Sequence, residues 1–282
     1  MNLENRTAVI TGAASGIGRA IAVSLARRGC NLALADVNEA GLSETARMAE
    51  SAHSDPTNRS ARRSALRVSQ HHLDVADQRA VAAFPQAVIA AHPEVDILVN
   101  NAGVAIGGTF EAVSEEDFQW LFEINFWGVV RMTRAFLPLL RKSDDARVVN
   151  LSSLFGLISP PGQSAYSASK FAVRGFSHSL RHELAGSKVG VTVVHPGGVA
   201  TSIADSARVP KDMPPEEIAR RRALAKKALR MPPATAGEII VQGVERRSAR
   251  VLVGSDAKFL ALLERLAPVS YWKIFMRFLP KM

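Results

Sequence analysis

Tyr166 and Lys170 stand four residues apart in the run Tyr166-Ser167-Ala168-Ser169-Lys170. On a helix that spacing sends both side chains out of one face, so the two can act together. A free tyrosine titrates near ~10, too high for efficient acid-base work at neutral pH. A nearby ammonium favours the phenolate and lowers that value. The pair therefore predicts a tyrosine that gives or takes a proton, tuned by its lysine.

A second constellation lies near the start of the chain. Thr11-Gly12-Ala13-Ala14-Ser15-Gly16-Ile17-Gly18 follows the apolar run Thr7-Ala8-Val9-Ile10, and Ile17, Ala20, Ile21, Ser24 and Leu25 then recur at helical spacing until Gly29. Strand, glycine turn and helix in this order bring backbone N–H groups and a helix dipole to meet a pyrophosphate. The spacing is G-x-x-x-G-x-G rather than the commonest dinucleotide pattern, and a glycine turn alone is equally a plain tight turn. Asp36 closes the next apolar run eighteen residues past Gly18, where an acid is expected to bond the adenosine ribose. A carboxylate there repels a 2′-phosphate and Val37 offers no cation to hold one, so NAD is predicted ahead of NADP. Two alternatives stay open: Asp36 as the cap of a helix beginning near Asn38, and Arg19 as a partner for NADP. With a nicotinamide bound, Lys170 would also reach its ribose, tying the cofactor to the acid.

The elements that must carry these residues alternate in type. Asn31–Asp36 reads as a second strand, a polar helix follows from Asn38, and a third strand ends near Leu73-Asp74. The Ser/Arg-rich stretch 51–64 reads as an exposed extension of that helix or its loop. Strands are predicted at 95–100 and 147–151, separated by a helix from the capping box Ser114-x-x-Asp117 to about Leu140. A helix over 165–184 and strands at 189–194 and 250–253 complete the series. The fold class this implies is α/β, a doubly wound parallel sheet of the Rossmann type in a single domain, with helices on both faces. Ligands of such sheets sit beyond the carboxyl ends of the strands, and Gly12, Asp36, Asp74, Asn100, Ser153 and Pro196 all fall there.

Jointly the motifs resemble the short-chain dehydrogenase/reductase family over nearly the whole chain to about Gly254. Thr11-Gly12-x-x-x-Gly16-x-Gly18, Asp74, Asn100-Asn101-Ala102-Gly103, Asn125, Ser152-Ser153, Tyr166-x-x-x-Lys170 and Pro196-Gly197 appear in the family's order and spacing. The resemblance implies an NAD(P)-dependent oxidoreductase acting between a secondary alcohol and a ketone. It makes Tyr166 the acid or base, Lys170 its tuner and Asn125 a water-holding relay. Ser153 becomes the group that polarises the substrate oxygen, because the family's serine stands thirteen residues before its tyrosine. Cofactor contacts implied are Gly12, Ser15, Gly16, Ile17 and Gly18 at the pyrophosphate, Asp36 at the ribose, and Asp74 with Val75 at the adenine. Asn100, Asn101, Ala102 and Gly103 become the wall beside the adenosine ribose. Tyr166, Lys170, Pro196, Gly197, Val199 and Thr201 fall at the nicotinamide end. Asn125 alone reads equally as a buried structural amide, and Ser152 or Ser153 as a strand-end cap.

The remaining features narrow the class. Cys30 is the single cysteine and Met1-Asn2-Leu3-Glu4 leads straight toward a strand, so a reducing cytoplasmic setting is expected. The charge-free stretch 148–169 is broken by Asn150, Gly156, Pro160-Pro161 and Gly162 and reads as buried strand plus site loop, not a membrane span. A net charge of +9, with basic clusters at 59–67, 220–230 and 273–281, is read mainly as solvated helix faces. A specific nucleic-acid partner is not expected, because no binding motif accompanies the charge. His71-His72 are adjacent, and His178 and His182, one helical turn apart, have no clear acidic or thiolate partner, so no metal is expected. Residues 202–230 read as a lid over the substrate. Val104 to Ile106, Phe155, Leu157, Ile158 and Val199 predict an apolar pocket for a steroid, retinoid or long-chain substrate. Residues 255–282 read as an amphipathic tail kinked near Pro268, with Tyr271, Ile274, Phe275, Phe278 and Leu279 in one stripe and Lys273, Arg277 and Lys281 off it. Packing on its own domain or a second copy is one use, and peripheral contact with an anionic membrane is the other. The resemblance also implies a homodimer or homotetramer through the helices at 114–140 and 165–184. A silent NAD(H)-binding regulator with the same fold is the alternative function.

Overall fold

A computed structural model of the chain describes residues 1–55 and 65–278, with the side chain of Phe278 excepted. Seven strands, β1 (Thr7–Thr11), β2 (Asn31–Asp36), β3 (Val68–His72), β4 (Ile97–Asn100), β5 (Ala146–Leu151), β6 (Val189–Pro196) and β7 (Arg250–Val253), form one sheet. Their order is β3-β2-β1-β4-β5-β6-β7, and every pairing is parallel. The order reverses between β1 and β4, which opens a crevice at their carboxyl ends. β1, β4 and β5 are buried along their whole length, which is why they read as continuous apolar runs rather than alternating ones.

Neighbouring strand residues feed opposite cores. On one face Ile10 and Leu34 pack with Ile21 and Leu25 of α1 (Gly16–Ala26) and Ile240 of α8 (Pro233–Glu245). On the other, Val9, Leu98 and Val148 meet Phe84 of α3 (Gln78–Ala91) and Phe136 of α5 (Gly128–Leu140), whose rings lie edge to face at 5.4 Å. Each such side chain, once buried, contributes about 1.5–3 kcal/mol. Helices α3 and α8 fill the two stretches that the periodicity leaves unassigned.

Two helices begin as the sequence predicts. Asn38 caps α2 (Glu39–His53) by accepting from Gly41 N–H, and Ser114 caps α4 (Glu115–Phe122) by accepting from Asp117 N–H. The predicted helix to Leu140 is interrupted, however: residues Glu123–Trp127 form a π-turn between α4 and α5, closed by Gly128 N–H on the Glu123 carbonyl. Helix α6 (Ser164–Glu183) carries Tyr166 and Lys170. In the predicted lid, α7 (Pro215–Ala228) buries no residue. This segment is tied to the chain after β4 by Arg208 N–H on Ala105 O and Gly107 N–H on Arg208 O.

The predicted tail is two helices, α9 (Ser255–Leu266) and α10 (Tyr271–Phe278), with Pro268 between them. α9 buries Ala257, Leu260 and Ala261, and Asp256 at its start accepts from Gly198 N–H at 2.7 Å. The chain past Gly254 is thus built into the core and into the turn after β6. Residues 56–64, which hold part of the basic cluster at 59–67 and of the Ser/Arg-rich stretch, lie outside the described residues, as do Leu279 and Lys281 of the tail. Among the described residues no helix is long and apolar enough to cross a membrane.

Candidate active site

The turn after β1 is shaped by two glycines in the left-handed region, Gly12 (φ +65°) and Gly16 (φ +54°), which only glycine adopts without strain. A Cβ on Gly12 would stand 2.8 Å from the Ala102 backbone, and one on Gly18 would stand 2.1 Å from the Gly12 carbonyl. Asn101 holds this turn from β4: its Nδ2 donates to the carbonyls of Thr11 (3.0 Å) and Gly12 (2.9 Å). Thr201, beyond Pro196-Gly197, packs over Gly16, where a Cβ would meet its methyl at 3.1 Å. Ser15 occupies the N-cap of α1 with no capping bond from its side chain, and it is exposed.

Asp36 ends β2 beside this turn. Its carboxylate accepts from Ala14 N–H and Asn38 N–H, both at 3.0 Å. The acid thus ties the glycine turn to the start of α2. Arg19 points inward, with Nε donating to Thr45 Oγ1 at 2.9 Å and its guanidinium to the carbonyls of Ala14 and Gly41. Val37 is 57% exposed. Asp74 is exposed at the end of β3 and accepts from Ala76 N–H, and Val75 is buried against Gly128. Asn100 is spent inside the fold, donating to Asn150 and Thr133.

At the other end of the crevice β5 delivers Ser152 and Ser153. Ser152 Oγ donates to the Lys170 carbonyl at 2.8 Å and serves to fasten α6. Ser153 caps a short 3₁₀ turn, Leu154–Gly156, and its hydroxyl faces the Tyr166 phenol closely enough to favour the ionised form. Burial outweighs that effect and pushes the Tyr166 phenol up, away from the lowered value expected of a lysine-tuned tyrosine. Lys170 lies with Nζ 5.7 Å from the Tyr166 ring centroid and is 4% exposed. It donates to one carbonyl, Leu151 O at 3.2 Å, and burial alone brings its ammonium down to about 8. A Cβ on Gly103 would stand 3.3 Å from that ammonium, so the glycine keeps the crevice open beside it.

Asn125 sits in the π-turn, fully buried. Its Oδ1 accepts from Val104 N–H at 2.8 Å, and its Nδ2 donates to Val104 O (2.9 Å) and Ser169 Oγ (3.2 Å). The amide therefore locks the segment after Gly103 onto α6, the structural use that the sequence left open.

His195 is a residue that the sequence reading passes over. It is fully buried in β6, its Nδ1–H donates to the Ser153 carbonyl at 2.9 Å, and burial holds the ring neutral at about 4. The signal was its place directly before Pro196-Gly197, where an apolar strand residue would be the default. His71 and His92 share Ser69 Oγ, and among the described residues there is no group of three His, Cys, Asp or Glu that could hold a metal ion.

The site accommodates a dinucleotide. The turn after β1 brings backbone close to its neighbours where any Cβ would intrude, Ser15 Oγ is not used for capping, and a nearly unpartnered buried ammonium waits at the far end.

Known proteins resemble this chain in sequence and fold. The sequence model of the family described as short chain dehydrogenase matches residues 6–212. SadH of Mycobacterium tuberculosis, named as an oxidoreductase, is 42% identical over 279 residues, which cover 97% of this chain and 95% of the relative. The crystal structure of a short chain dehydrogenase/reductase from Burkholderia phymatum in complex with NAD aligns with TM-score 0.83 and 29% identity, covering 100% of this chain and 98% of that one. An alcohol dehydrogenase from the archaeon Thermococcus sibiricus, complexed with 5-hydroxy-NADP, aligns with TM-score 0.67 and 27% identity over 89% of this chain and 96% of that one. The chain belongs to the short-chain dehydrogenase/reductase family of oxidoreductases.

Proposed function

We propose that this chain interconverts a hydrophobic secondary alcohol and its ketone, with NAD as the preferred coenzyme. The observation that carries the reading is Lys170, a buried ammonium with one carbonyl partner, a helical turn from a tyrosine that a serine hydroxyl faces. Packing gives no return for burying such a charge; a ligand with hydroxyls to share does. When bound, the nicotinamide supplies the two-electron acceptor or donor for the alcohol carbon.

The chain's own residues do the rest. Tyr166 Oη takes the proton from the alcohol hydroxyl in oxidation and returns it in reduction. Ser153 Oγ donates to the same substrate oxygen, so two groups steady the alkoxide-like charge that develops there. The Lys170 ammonium favours the Tyr166 phenolate against the burial that disfavours it, and its remaining N–H groups hold a ribose hydroxyl. The Asn125 amide is committed to Val104 and Ser169, so a relay water at this residue rests on its main-chain carbonyl in the π-turn. Gly12, Ser15, Gly16, Ile17 and Gly18 hold the pyrophosphate at the start of α1. Asp36 takes the adenosine ribose, Asp74 and Val75 the adenine, and Asn101, Ala102 and Gly103 the wall between. Pro196, Gly197, Val199 and Thr201 hold the nicotinamide end. Of the residues read as an apolar pocket, Phe155 is half-buried beside Tyr166, while Ile106 and Val199 are buried. Turnover of a hydrophobic secondary alcohol with NAD, read as reduced-nicotinamide absorbance, tests the reaction; preferred turnover of small polyols would refuse the substrate class.

Asp36 bears on the choice of coenzyme. Its carboxylate stands at the end of β2 beside the glycine turn, Val37 offers no charge, and Arg19 is drawn inward to Thr45 and the Gly41 carbonyl, so neither of these two neighbours presents a cation to a 2′-phosphate. In Asp36→Ala, kcat/KM with NAD is expected to fall on the order of tenfold, the loss of a hydrogen bond to a charged group, while NADP improves. An unchanged NAD to NADP ratio would contradict the assignment.

Exposed apolar groups favour association as well. Trp127 (44% exposed) and Phe171 (37%) lie on the π-turn and α6, where a homodimer or homotetramer would form. Phe259, Leu262, Leu266, Val269 and Met276 are exposed along α9, α10 and the turn between them, near Lys258, Arg265, Lys273 and Arg277 in sequence. This patch suits peripheral contact with an anionic bilayer. Because α9 is part of the core, truncation would confound the test. The full chain should float with phosphatidylglycerol vesicles while Leu262→Glu combined with Leu266→Glu sinks; equal flotation removes the membrane reading.

A further inference from the structure

Helix α10 packs on α9 and meets the turn that follows Ser153. Tyr271 Oη accepts from Ser159 N–H at 2.8 Å. The rings of Tyr271 and Phe275 join Leu154, Phe155 and Ile158 in one apolar cluster, with Leu252 of β7 and Ala257, Leu260 and Leu263 of α9 beneath them. Phe155 in turn stands edge-on to the Tyr166 ring, with centroids 6.1 Å apart at 84°. A continuous line of contacts therefore runs from the C-terminal helix to the tyrosine of the site.

The turn needs such support. Past Ile158 it runs through Ser159-Pro160-Pro161-Gly162, where two residues have no N–H to give and Gly162 is left-handed at φ +73°. Two backbone ties hold it in place: Ser159 N–H on Tyr271 Oη, and Gly108 N–H on Gly162 O at 3.1 Å. The first comes from a helix more than a hundred residues away, and the second from the segment on the opposite side of the crevice. Phe155 is the residue of this turn that meets both the Tyr166 ring and the α10 cluster.

We propose that Tyr271 is a positioning residue: α10 holds Phe155 and the turn 154–159 as one wall of the substrate pocket, and through them sets the length of hydrophobic substrate accepted. The proposal rests on the reaction given under Proposed function. Tyr271 touches neither Tyr166 nor Ser153, so its removal leaves the proton-transfer groups in place. What it changes is the freedom of the Phe155 wall, which longer substrates lean on and short ones do not.

Tyr271→Phe keeps the ring and the apolar cluster and deletes only the acceptor. The full-length variant and wild type are compared by amide hydrogen exchange at Ser159, by NADH binding, and by steady-state reduction of methyl ethyl ketone and methyl nonyl ketone. Exchange at Ser159 should quicken, NADH binding should hold, and kcat/KM for the long ketone relative to the short one should fall on the order of fivefold, the worth of one hydrogen bond. The fall should lie in KM. Unchanged exchange, or faster exchange with an unchanged ratio of the two ketones, overturns the proposal. A wild type that reduces neither ketone with either coenzyme overturns the underlying reaction and this inference with it, a failure told apart because the unmodified protein already shows it.

Discussion

Tyr166→Phe should lower kcat roughly 10²–10⁴-fold, the span that a positioned acid-base group supplies, while leaving NADH binding intact. The substitution removes one oxygen and keeps the ring, so the edge-on contact with Phe155 survives. Ser153 remains to polarise the substrate oxygen, which leaves a residual rate rather than none. The pH profile carries a second signature. Oxidation needs Tyr166 to accept a proton, and burial holds its phenol up, so alcohol oxidation should rise with pH through the alkaline range. Ketone reduction needs the proton in place and should fall over the same range. Both dependences should vanish in the variant. A Tyr166→Phe protein that kept more than roughly a tenth of the wild-type rate would assign the proton to another group, because general acid-base catalysis is worth far more than that.

Lys170→Met should pull activity and stability in opposite directions. The ammonium is buried with one acceptor, and its value drops from 10.5 to about 8. A lysine with a depressed folded value destabilises the fold wherever both states are charged. Below pH 8 that penalty is fully present, about 3 kcal/mol by linkage. Between about 8 and 10.5 the unfolded chain binds the proton and the folded one does not, so stability of the wild type rises with pH there. Near pH 10 the raised Tyr166 begins to act the other way, since the unfolded tyrosine then ionises first. A methionine side chain fills a similar volume without the charge, so the variant should melt higher at pH 7 and lose the rise between 8 and 10. Its kcat should fall on the order of tenfold to a thousandfold, since a nearby opposite charge moves a tyrosine by about one to three units and each unit costs up to tenfold in phenolate. A variant that is both as active and no more stable than wild type would mean that the ammonium serves neither purpose.

Much of this was legible in the residues because two periodicities and a few glycines suffice to order a parallel sheet. Thr7 to Ile10, Asn31–Asp36 and Arg250–Val253 read as strands for the same reason they are strands: apolar runs of that length have nowhere else to be buried. The rim residues followed, since a parallel sheet gathers every strand's carboxyl end on one side. What stayed hidden depends on contacts between distant segments. No local pattern marks the π-turn at Asn125, which exists because the amide has Val104 and Ser169 to bond. Likewise the tail shows as an amphipathic stripe, but only the fold reveals that Tyr271 and Phe275 meet the turn after Ser153. His195 hid inside an apolar strand, where its one polar contact is a carbonyl forty-two residues upstream. The direction of the Tyr166 shift depended on burial, which spacing does not report.

As proposed, this chain turns over a nicotinamide coenzyme against an alcohol or ketone carbon rather than merely holding it. The most direct measurement mixes the full-length protein with NADH or NADPH and a panel of hydrophobic ketones, following coenzyme absorbance while coenzyme fluorescence reports binding in the same samples. We expect NADH to bind and to be consumed with at least one ketone, faster than NADPH. Coenzyme that binds tightly and is consumed with none, alongside NAD that oxidises no matching alcohol, would contradict the account and leave a protein that senses the coenzyme without turning it over.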